Sequence, residues 1–531
     1  MKGEKTMAIV QTKTGCVEGV SLGGVEVFKG IPYAAPPVGE LRFRPPQKPA
    51  PWEGVRVCDK FAPASIQHLD LEAQSFEPYG KDFYWEGMPP VSEDCLYLNI
   101  WRSSDIPDGK LPVYVWFHGG GLDHGWSYEP EFDGEGLAKK GVIVVSVGHR
   151  LGIFGYLCLP QLSEEQGGTS GNYGYMDGLM AVEWVIENIA AFGGDPDNIT
   201  LGGQSGGTTK TSPLLAQPSL KGHVRRLISE SGLQRDKVFP SLKDGEEAGL
   251  KTLDALGLPR DITPDELRKI DTWDLYLDGS FGNTMVCDGR VIPYRSIAEA
   301  WENIGNIDFL CGCNLGEVQP RLNADRKVYA PFRTAEEFYD NYRELLGSRF
   351  EEYDFPSLVP VDDDNAWQEA RRIAALGFTK PSRPNIARNV ILNRLFGMER
   401  AQKAPGSRVF TYLFCQIPPC RPEEKGTVRD SERQMAYHSS EMWYVFNSLG
   451  ENCPPIRQWR KEDYELADIT SSFWANFIKT GDPNGEGLPY WPDASDNMGW
   501  LEISSTPVSH EGMEGELDKL LVEHVKEHFN I

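Results

Sequence analysis

One serine, Ser205, lies between two pairs of glycines in the segment GGQSGG, residues 202–207. The segment contains G-x-S-x-G, a pattern in which a strand turns sharply into a helix with the serine at the turn. Its neighbours must be small because the strand and the helix nearly touch there. NITL before the serine is typical of a strand, and TTKTSPLLAQ after it can continue as a helix. The pattern and its context predict a nucleophilic hydroxyl beside the N–H groups of a helix start.

A glycine-rich turn supplies the donors that such a nucleophile needs. Attack on a carbonyl carbon creates an oxyanion, which backbone N–H groups held in advance can stabilise. One donor is the residue after the serine, Gly206, and others are expected in the sequence HGGG at residues 118–121. This sequence directly follows the apolar run PVYVWF, so an oxyanion loop is favoured over a merely flexible turn.

A serine hydroxyl also needs a base, and the expected chain order is serine, acid, histidine. The histidines after Ser205 are His223, His438, His510, His524 and His528. His223 follows too closely to leave room for an acid-bearing strand, whereas His438 lies where a turn leads into an apolar helix. The acid should follow a strand between Ser205 and His438, as Glu317 does in FLCGCNLGE. Spacing alone does not separate Glu317 from other carboxylates such as Asp288.

Two other groups of residues suggest metal ligands, and both are interpreted as structural. His524 and His528 match the metal pattern H-x-x-E-H, but residues 516–529 read as an amphipathic helix. Cys311 and Cys313 lie in a strand-like run and are expected to be core thiols. The sequence therefore predicts neither a metal nor an organic cofactor.

The elements that would position these residues alternate along the chain. Short, continuous apolar runs lie at residues 112–117, 142–147, 198–201, 225–230, 308–313 and 408–414. Continuous runs are typical of strands buried on both faces of a parallel sheet. Helical periodicity is clearest at residues 176–192 and 463–479. The alternation predicts an α/β fold, as one compact domain over residues 1–531 with lobes capping one end of the sheet.

Composition narrows the classes of partner. The formal net charge of -25 over 531 residues disfavours nucleic acid, because a polyanion would be repelled. The most apolar run, residues 141–147, is too short to span a bilayer, and no apolar stretch of signal-peptide length follows the first lysines. The ten cysteines are scattered, unlike a disulfide framework. A cytoplasmic protein acting on a small molecule is expected, and the terminal amphipathic helix could pack on a second copy or on its own body.

Several longer segments carry a family resemblance. They include GIPYAAPPVGELRF, SEDCLYLNIW, FHGGG, RLGIFGY, GNYGYMDG, NIAAFGGDPDNITLGGQSGG, HSSEMWYVF and ANFIKTGDPN. From about Gly19 to Trp491 the sequence resembles the type B carboxylesterases, which include cholinesterases and bacterial para-nitrobenzyl esterases, and its character is nearest to the latter. The resemblance implies an α/β-hydrolase fold with a large, mostly parallel, twisted central sheet, flanking helices, and capping lobes over the active-site end.

The resemblance also implies roles for individual residues. Ser205 would be the nucleophile and His438 the base, and the family pattern G-x-N-x-x-E places the acid at Glu317. The oxyanion donors would be Gly120, Gly121 and Gly206. Ser231, in SESG, resembles a serine that hydrogen-bonds close to the triad.

Some positions depart from the family pattern. The usual elbow G-E-S-A-G has Gln204 in place of the glutamate and Gly206 in place of the alanine. Cholinesterases use that glutamate to hold cationic substrates. Trp85 has the spacing of their choline-stacking tryptophan, and it is a candidate pocket wall together with Leu122, which begins the loop of residues 122–132.

A cysteine that the family usually bonds to Cys95 is replaced by Ser65, which suits a reducing compartment. Cys58 is the alternative partner for Cys95.

The implied activity is serine carboxylesterase chemistry through an acyl-enzyme, on a small-to-medium neutral carboxylic ester. The same triad would also serve a thioesterase, a lactonase or an amidase. A non-catalytic adhesion or binding protein on the same scaffold is the remaining alternative, and such relatives typically lose the nucleophile.

Overall fold

The structure is a computed structural model that describes residues 6–71, 79–106, 109–277, 282–317, 333–378, 389–427, 429–451, 453–455 and 457–528. The chain divides into two compact units. The first unit comprises Met1–Leu69, Met88–Leu227 and Gln234–Gly305, and the second comprises Asp70–Gly87, Ile228–Leu233 and Asn306–Ile531. The single domain expected over residues 1–531 stays a prediction.

Strands and helices alternate through most of the described chain. The strands are β1 Thr6–Gln11, β2 Cys16–Leu22, β3 Val25–Pro32, β4 Val55–Val57, β5 Tyr97–Ser103, β6 Leu111–Phe117, β7 Ile143–Val147, β8 Gly194–Gln204, β9 Val224–Glu230, β10 Asp308–Asn314, β11 Val409–Phe414, β12 Trp500–Ile503 and β13 Val508–His510. All six apolar runs singled out in the sequence form strands, so those predictions are confirmed.

The α-helices are α1 Tyr79–Phe83, α2 Glu135–Lys139, α3 Gly152–Tyr156, α4 Pro160–Glu165, α5 Tyr173–Asn188, α6 Gly206–Thr211, α7 Leu242–Leu256, α8 Pro264–Lys269, α9 Ile297–Ala300, α10 Ala335–Leu346, α11 Arg349–Glu352, α12 Phe355–Leu358, α13 Ala366–Leu376, α14 Val390–Lys403, α15 Ser431–Gln434, α16 Met442–Val445, α17 Lys461–Thr480, α18 Ala494–Asn497 and α19 Gly515–His528. Helices α5 and α17 confirm the two clearest predictions. The α/β class is confirmed.

In the first unit, the strand order is β1-β2-β3-β5-β7-β6-β8, and β4 pairs with β2. Strand β6 is parallel to both β7 and β8, whereas β1, β2, β3, β5 and β7 pair in antiparallel fashion along that order. Every residue of β7 is buried, as are the last six residues of β6. Continuous apolar runs were the correct signal because both faces of these strands are covered.

In the second unit, β10, β11 and β12 are parallel neighbours, and β13 closes the edge in antiparallel fashion. Helix α19 packs within this unit. Leu520, Leu521 and Val525 are buried, and the Asp518 carboxylate accepts a hydrogen bond from Arg394 at 2.9 Å. The apolar side of the predicted terminal helix is thus covered by its own unit, and Phe529 lies outside the described residues. Oligomerisation through this helix stays a prediction.

Each of the ten cysteines lies in the described part of the chain and is a free thiol, including Cys58 and Cys95. Burial raises the pKa of the Cys95 thiol to about 12, so the sulfur is an unreactive core group. In the described part of the chain, no helix is both long enough and apolar enough to cross a membrane.

Candidate active site

Ser205 stands at a sharp turn between β8 and α6. Its backbone has φ 53° and ψ −116°, a conformation that is costly for any residue with a side chain. The turn is tied down by Thr208, whose backbone N–H and hydroxyl both donate to the Ser205 carbonyl oxygen, at 3.1 and 2.6 Å. This is the strand–turn–helix arrangement that the G-x-S-x-G pattern predicts.

The glycines around the turn are required by close backbone contacts. A Cβ atom at Gly207 would lie 2.1 Å from the carbonyl oxygen of Phe117 in β6, and one at Gly203 would lie 2.5 Å from the Gly207 carbonyl carbon. A Cβ atom at Gly206 would lie 2.4 Å from the backbone nitrogen of Gly121. The alanine that the family pattern has at position 206 would therefore not fit this backbone. At Gly206 the first residue of α6 packs against the backbone of the glycine loop.

The glycine loop follows β6 at residues 118–121. Gly120 and Gly121 have φ values of 77° and 62°, in the left-handed region that glycine adopts at little cost. A Cβ atom at Gly120 would lie 2.2 Å from the His124 carbonyl oxygen, so the loop has no room for a side chain there. The structure thus gathers Ser205, Gly206, Gly120 and Gly121 in one region of the first unit.

Polar groups are buried behind this loop. The Lys210 ammonium, on α6, donates to the carbonyl oxygens of His118 and Gly119, at 2.9 and 3.3 Å. The His118 ring stacks on His149 with 4.8 Å between centroids. Burial lowers the pKa of both imidazoles well below the usual range, so both rings are neutral near pH 7.

His438 and Glu317 form a hydrogen-bonded pair in the second unit. His438 Nδ1 lies 2.6 Å from Glu317 Oε2, and the backbone N–H of Asn314 donates to Glu317 Oε1 at 3.0 Å. An ionised carboxylate only accepts, so Nδ1 carries the proton, and Nε2 is the nitrogen of the neutral ring that can accept one. The pair can therefore supply a base with a fixed tautomer, while the carboxylate stabilises the imidazolium that forms.

Contacts between the loops that carry Glu317 and His438 fix the position of this pair. Glu317 follows the end of β10, and the backbone N–H of Gly316 donates to the Ala436 carbonyl at 2.6 Å. Arg371, on α13, bridges the two loops by donating to the carbonyl oxygens of Gly316 and Gln434, at 3.1 and 2.7 Å. A helix distant in sequence therefore fixes the spacing between the acid loop and the histidine loop.

A second carboxyl group lies beside the pair. The Ser231 hydroxyl donates to Glu441 Oε1 at 3.3 Å, and the Asn314 side-chain amide donates to Glu441 Oε2. Burial, reinforced by the nearby Glu317 charge, raises the pKa of Glu441 to about 8. Near pH 7 Glu441 is therefore mostly protonated, which avoids two ionised carboxylates side by side. Ser231 is itself held by its backbone N–H, which donates to the Gly312 carbonyl at 2.9 Å.

The remaining candidate residues, Gln204, Leu122 and Trp85, differ in their burial and surroundings. Gln204 is buried, and its side-chain oxygen would lie 3.0 Å from a Cβ atom at Gly119, so it packs behind the same loop. Leu122 is 8% exposed, and Trp85 is half-buried in the second unit just after α1. A pocket role for either residue stays a prediction.

Asp288, the alternative acid, stabilises a turn through its carboxylate. Its Oδ1 accepts from three successive backbone N–H groups, those of residues 290–292, at 2.9 to 3.0 Å. Its Oδ2 accepts from the Thr169 hydroxyl at 2.6 Å. These contacts explain Asp288 as a structural residue, so of the two candidate acids Glu317 is the one that pairs with His438.

The H-x-x-E-H histidines lie inside or along α19. His524 is buried against Phe378, with 4.9 Å between ring centroids. His528 Nδ1 lies 2.8 Å from the His524 carbonyl oxygen. Among the residues that the structure describes, there is no cluster of three or more histidine, cysteine, aspartate or glutamate side chains that could hold a metal ion.

Sequence reasoning missed Lys210 and Glu441. A lysine five residues after the serine reads as an ordinary helix-surface residue, and nothing in the pattern signals its burial. Glu441 follows His438 by three residues, a spacing that could have drawn attention to it as a neighbour on the same turn. Its contact with Ser231 depends on the fold and has no local signal.

Comparison with known proteins places the chain among esterases. The carboxylesterase family model matches residues 6–520. The fumonisin B1 esterase of Sphingopyxis macrogoltabida is 33% identical over 516 residues, which cover 94% of this chain and 87% of that protein. The para-nitrobenzyl esterase of Bacillus subtilis (strain 168) is 32% identical over 506 residues, covering 92% of each. A solved PNB esterase structure matches with a TM-score of 0.73 and 28% identity, over 97% of this chain and 99% of that one.

These findings define the fold as that of an α/β-hydrolase, with a large, mostly parallel central sheet and flanking helices. The chain belongs to the carboxylesterase family, and it is a carboxylic ester hydrolase. The family resemblance and the fold class predicted from the sequence are thereby confirmed.

Proposed function

We propose that this carboxylic ester hydrolase works through an acyl-enzyme, with Ser205 as nucleophile, His438 as base and Glu317 as the acid that orients it. The observation that carries the proposal is the strained backbone of Ser205 (φ 53°, ψ −116°), in a turn that packs against a glycine loop. Strain of this kind persists where surrounding structure enforces it, and it is concentrated at functional sites. The hydrogen-bonded pair of Glu317 and His438 adds support.

In the acylation step, His438 Nε2 removes the hydroxyl proton of Ser205 as its oxygen attacks the ester carbonyl carbon. The carbonyl oxygen becomes an oxyanion held by the N–H groups of Gly120, Gly121 and Gly206. The imidazolium, stabilised by the Glu317 carboxylate, then protonates the departing alcohol. Removing one oxyanion donor from such a site typically costs about 3–4 kcal/mol in the barrier.

In the deacylation step, water replaces the alcohol. His438 accepts a proton from the water as its oxygen attacks the acyl carbon, and the same three N–H groups hold the second oxyanion. Collapse of this intermediate releases the carboxylic acid and returns the proton to Ser205. No step requires an organic cofactor or a metal.

We further propose that the substrate is a small-to-medium neutral ester. Gln204 carries no charge where cholinesterases have a glutamate, so an ammonium group loses its local counter-charge. Trp85 and Leu122 are the proposed apolar wall residues.

The test of the nucleophile is the Ser205→Ala variant. We expect it to lose labelling by a fluorophosphonate probe and nearly all hydrolysis of p-nitrophenyl acyl esters, with an unchanged circular dichroism spectrum. Ser212→Ala, which removes a buried hydroxyl from the same segment, should keep both activities. Full residual hydrolysis by Ser205→Ala, or an adduct on another residue in the digested wild-type protein, would refute the assignment.

Substrate class needs a separate panel. Esters that vary in acyl length and alcohol size should be turned over faster than matched thioesters, lactones and amides. An amide or thioester with a higher kcat/KM than every ester of the same acyl group would replace esterase chemistry as the main activity. Failure to bind or turn over any acyl substrate would favour the non-catalytic alternative.

A cytoplasmic location is also proposed, on the basis of the ten free thiols. Full activity in the presence of a thiol reductant is expected. A loss of stability on reduction would show that a disulfide forms in the purified protein and would contradict this location.

A further inference from the structure

A buried lysine lies directly behind the glycine loop. Lys210 is only 3% exposed, and it lies on α6, five residues after Ser205. Its ammonium donates to two carbonyl oxygens, those of His118 at 2.9 Å and Gly119 at 3.3 Å. Among the described residues it forms no ion pair, so its hydrogen bonds all go to the backbone of this loop.

Burial of this ammonium is costly. Loss of water lowers the pKa of Lys210 to about 7, even though the charges of Asp123 and Glu129 act in the opposite direction. A methionine has a similar length and would fill the same space without this cost. The two hydrogen bonds therefore need a reason beyond packing.

Peptide geometry connects those two carbonyls to the proposed oxyanion donors. In a trans peptide the C=O and the following N–H share one plane and point in opposite directions. A donor that hydrogen-bonds to the Gly119 carbonyl thus fixes the direction of the Gly120 N–H. Its hydrogen bond to the His118 carbonyl fixes the orientation of the preceding peptide group, between His118 and Gly119. When Lys210 is protonated, its positive charge beside the carbonyl oxygen also polarises the peptide, which makes the opposite N–H a stronger donor.

Lys210 also couples the loop to the nucleophile turn. Helix α6 begins at Gly206, another proposed donor, and Gly206 packs on the backbone of Gly121. Because the Lys210 ammonium lies on this helix and hydrogen-bonds to the glycine loop, it fixes the positions of the Gly120 and Gly206 donors relative to each other. The imidazole of His118 lies on the same side, with Nδ1 3.0 Å from the Gly119 oxygen.

We propose that Lys210 is a positioning residue for the oxyanion hole. It hydrogen-bonds to the His118 and Gly119 carbonyls, and these bonds orient the Gly120 N–H toward the developing oxyanion. The inference rests on the proposed function of Ser205 and Gly120. Lys210 does not contact substrate in this role. It stabilises the transition state through the loop and leaves substrate affinity largely unchanged.

The test compares Lys210→Met with Thr211→Val. Lys210→Met should lower kcat for a p-nitrophenyl ester by about 10- to 100-fold, below the 10²- to 10³-fold typical of losing a donor outright, and change KM by less than about 3-fold. Thr211→Val removes a buried hydroxyl from the same helix, which donates to the Gly207 carbonyl at 3.1 Å, and should keep kcat within about 3-fold.

A second readout separates positioning from a general loss of structure. Affinity for a trifluoromethyl ketone, which forms a tetrahedral adduct with an oxyanion, should fall in Lys210→Met by the same factor as kcat/KM. Affinity for the unreactive methylene analogue of that ketone should be unchanged. If Lys210→Met does not fold, Lys210→Leu carries the same test, because it also removes the donor and leaves an apolar side chain.

The outcomes are distinct. If Ser205→Ala is inactive but Lys210→Met keeps the wild-type kcat, or raises only KM, the positioning role is wrong and the proposed function stands. Equal losses of affinity for both ketone analogues would also refute it. If Ser205→Ala remains active, the proposed function fails whatever Lys210→Met does.

Discussion

At the scale of single residues, the proposed role of Glu317 depends on the positions of its two carboxylate oxygens. One carboxylate oxygen is 2.6 Å from His438 Nδ1 and the other accepts from the Asn314 backbone at 3.0 Å. In Glu317→Gln the side chain presents an amide, which can turn its N–H₂ toward the ring and favour the wrong imidazole tautomer. We expect kcat to fall by about 10³- to 10⁴-fold with little change in thermal stability, as for the equivalent change in serine proteases.

Asp288→Asn is the matched control for this prediction. Asp288 caps a turn through three backbone N–H groups, so its replacement should lower the unfolding temperature and leave kcat within a few-fold. The acid would be wrongly assigned if Asp288→Asn abolished turnover and Glu317→Gln did not. Steady-state kinetics with one p-nitrophenyl ester is sufficient to decide.

Glu441 gives a prediction about pH and stability. Its pKa rises from an ordinary 4.5 to about 8 on folding, so between these values the native state holds a proton that the unfolded chain releases. The stability that Glu441 contributes is complete below about pH 4.5 and is lost as pH rises through about 8. Each pKa unit corresponds to about 1.4 kcal/mol, so the loss is on the order of a few kcal/mol.

Glu441→Gln removes this titration while keeping an acceptor for the Ser231 hydroxyl. The free energy of unfolding in urea should therefore fall less steeply from about pH 5 to pH 8 in the variant than in the wild type. Parallel curves for the two proteins over this range would show that Glu441 is ionised in the native state.

At the scale of elements, the sequence identified those whose burial is complete. The run at residues 142–147 became β7, residues 143–147, because a fully covered strand needs only apolar, β-branched side chains. Strand β8 was harder, since it begins at Gly194, four residues before the predicted run. The added segment GDPD has poor strand propensity, and it joins the strand through Gly194, which pairs with Leu111 of β6 before the register shifts. Propensity cannot report such a tertiary contact.

The helix after Ser205 shows a second limit. TTKTSPLLAQ was predicted to continue as a helix, but α6 ends at Thr211 and a 3₁₀ turn covers Ser212–Ala216. Pro213 has no N–H to continue the α-helical ladder. The candidate site follows the same division: motifs predict Ser205, Gly206 and His438 as site residues, whereas no local pattern encodes the contacts of Lys210 and Glu441.

Helix α13 carries the next prediction. Arg371 donates to the Gly316 carbonyl oxygen of the acid loop and to the Arg433 and Gln434 carbonyl oxygens of the histidine loop. A lysine has one nitrogen on a flexible stem, so Arg371→Lys cannot hold all three carbonyls. We expect the unfolding temperature to drop by on the order of 5 °C and kcat to fall several-fold, because the Glu317 and His438 loops are no longer tied together.

The neighbouring residue provides the control for Arg371→Lys. Arg372 is partly exposed and pairs with Glu369 one turn away on the same helix, at 2.8 Å. Such surface pairs contribute little, so Arg372→Lys should leave both unfolding temperature and kcat unchanged. Equal effects of the two substitutions would mean that the helix as a whole, rather than the Arg371 bridge, supports the loops.

At the scale of the whole molecule, family membership fixes the chemistry and leaves substrate choice to the surface and the pocket. The net charge of -25 produces a negative potential that attracts cations from a distance. That attraction is screened over about 30 Å at 0.01 M salt but over about 3 Å at 1 M. A charge at the site itself would act at contact distance and would be screened much less.

Salt therefore distinguishes the field of the whole protein from recognition inside the pocket. For a choline ester and its uncharged tert-butyl isostere, we expect the ratio of kcat/KM values to exceed one at about 10 mM salt and to fall to about one or below at about 500 mM. Gln204→Glu restores a buried charge, so its ratio should stay above that of the wild type at high salt. A wild-type ratio well above one at about 500 mM would show that the pocket holds cations without a charge at position 204, and the proposed preference for neutral esters would be wrong.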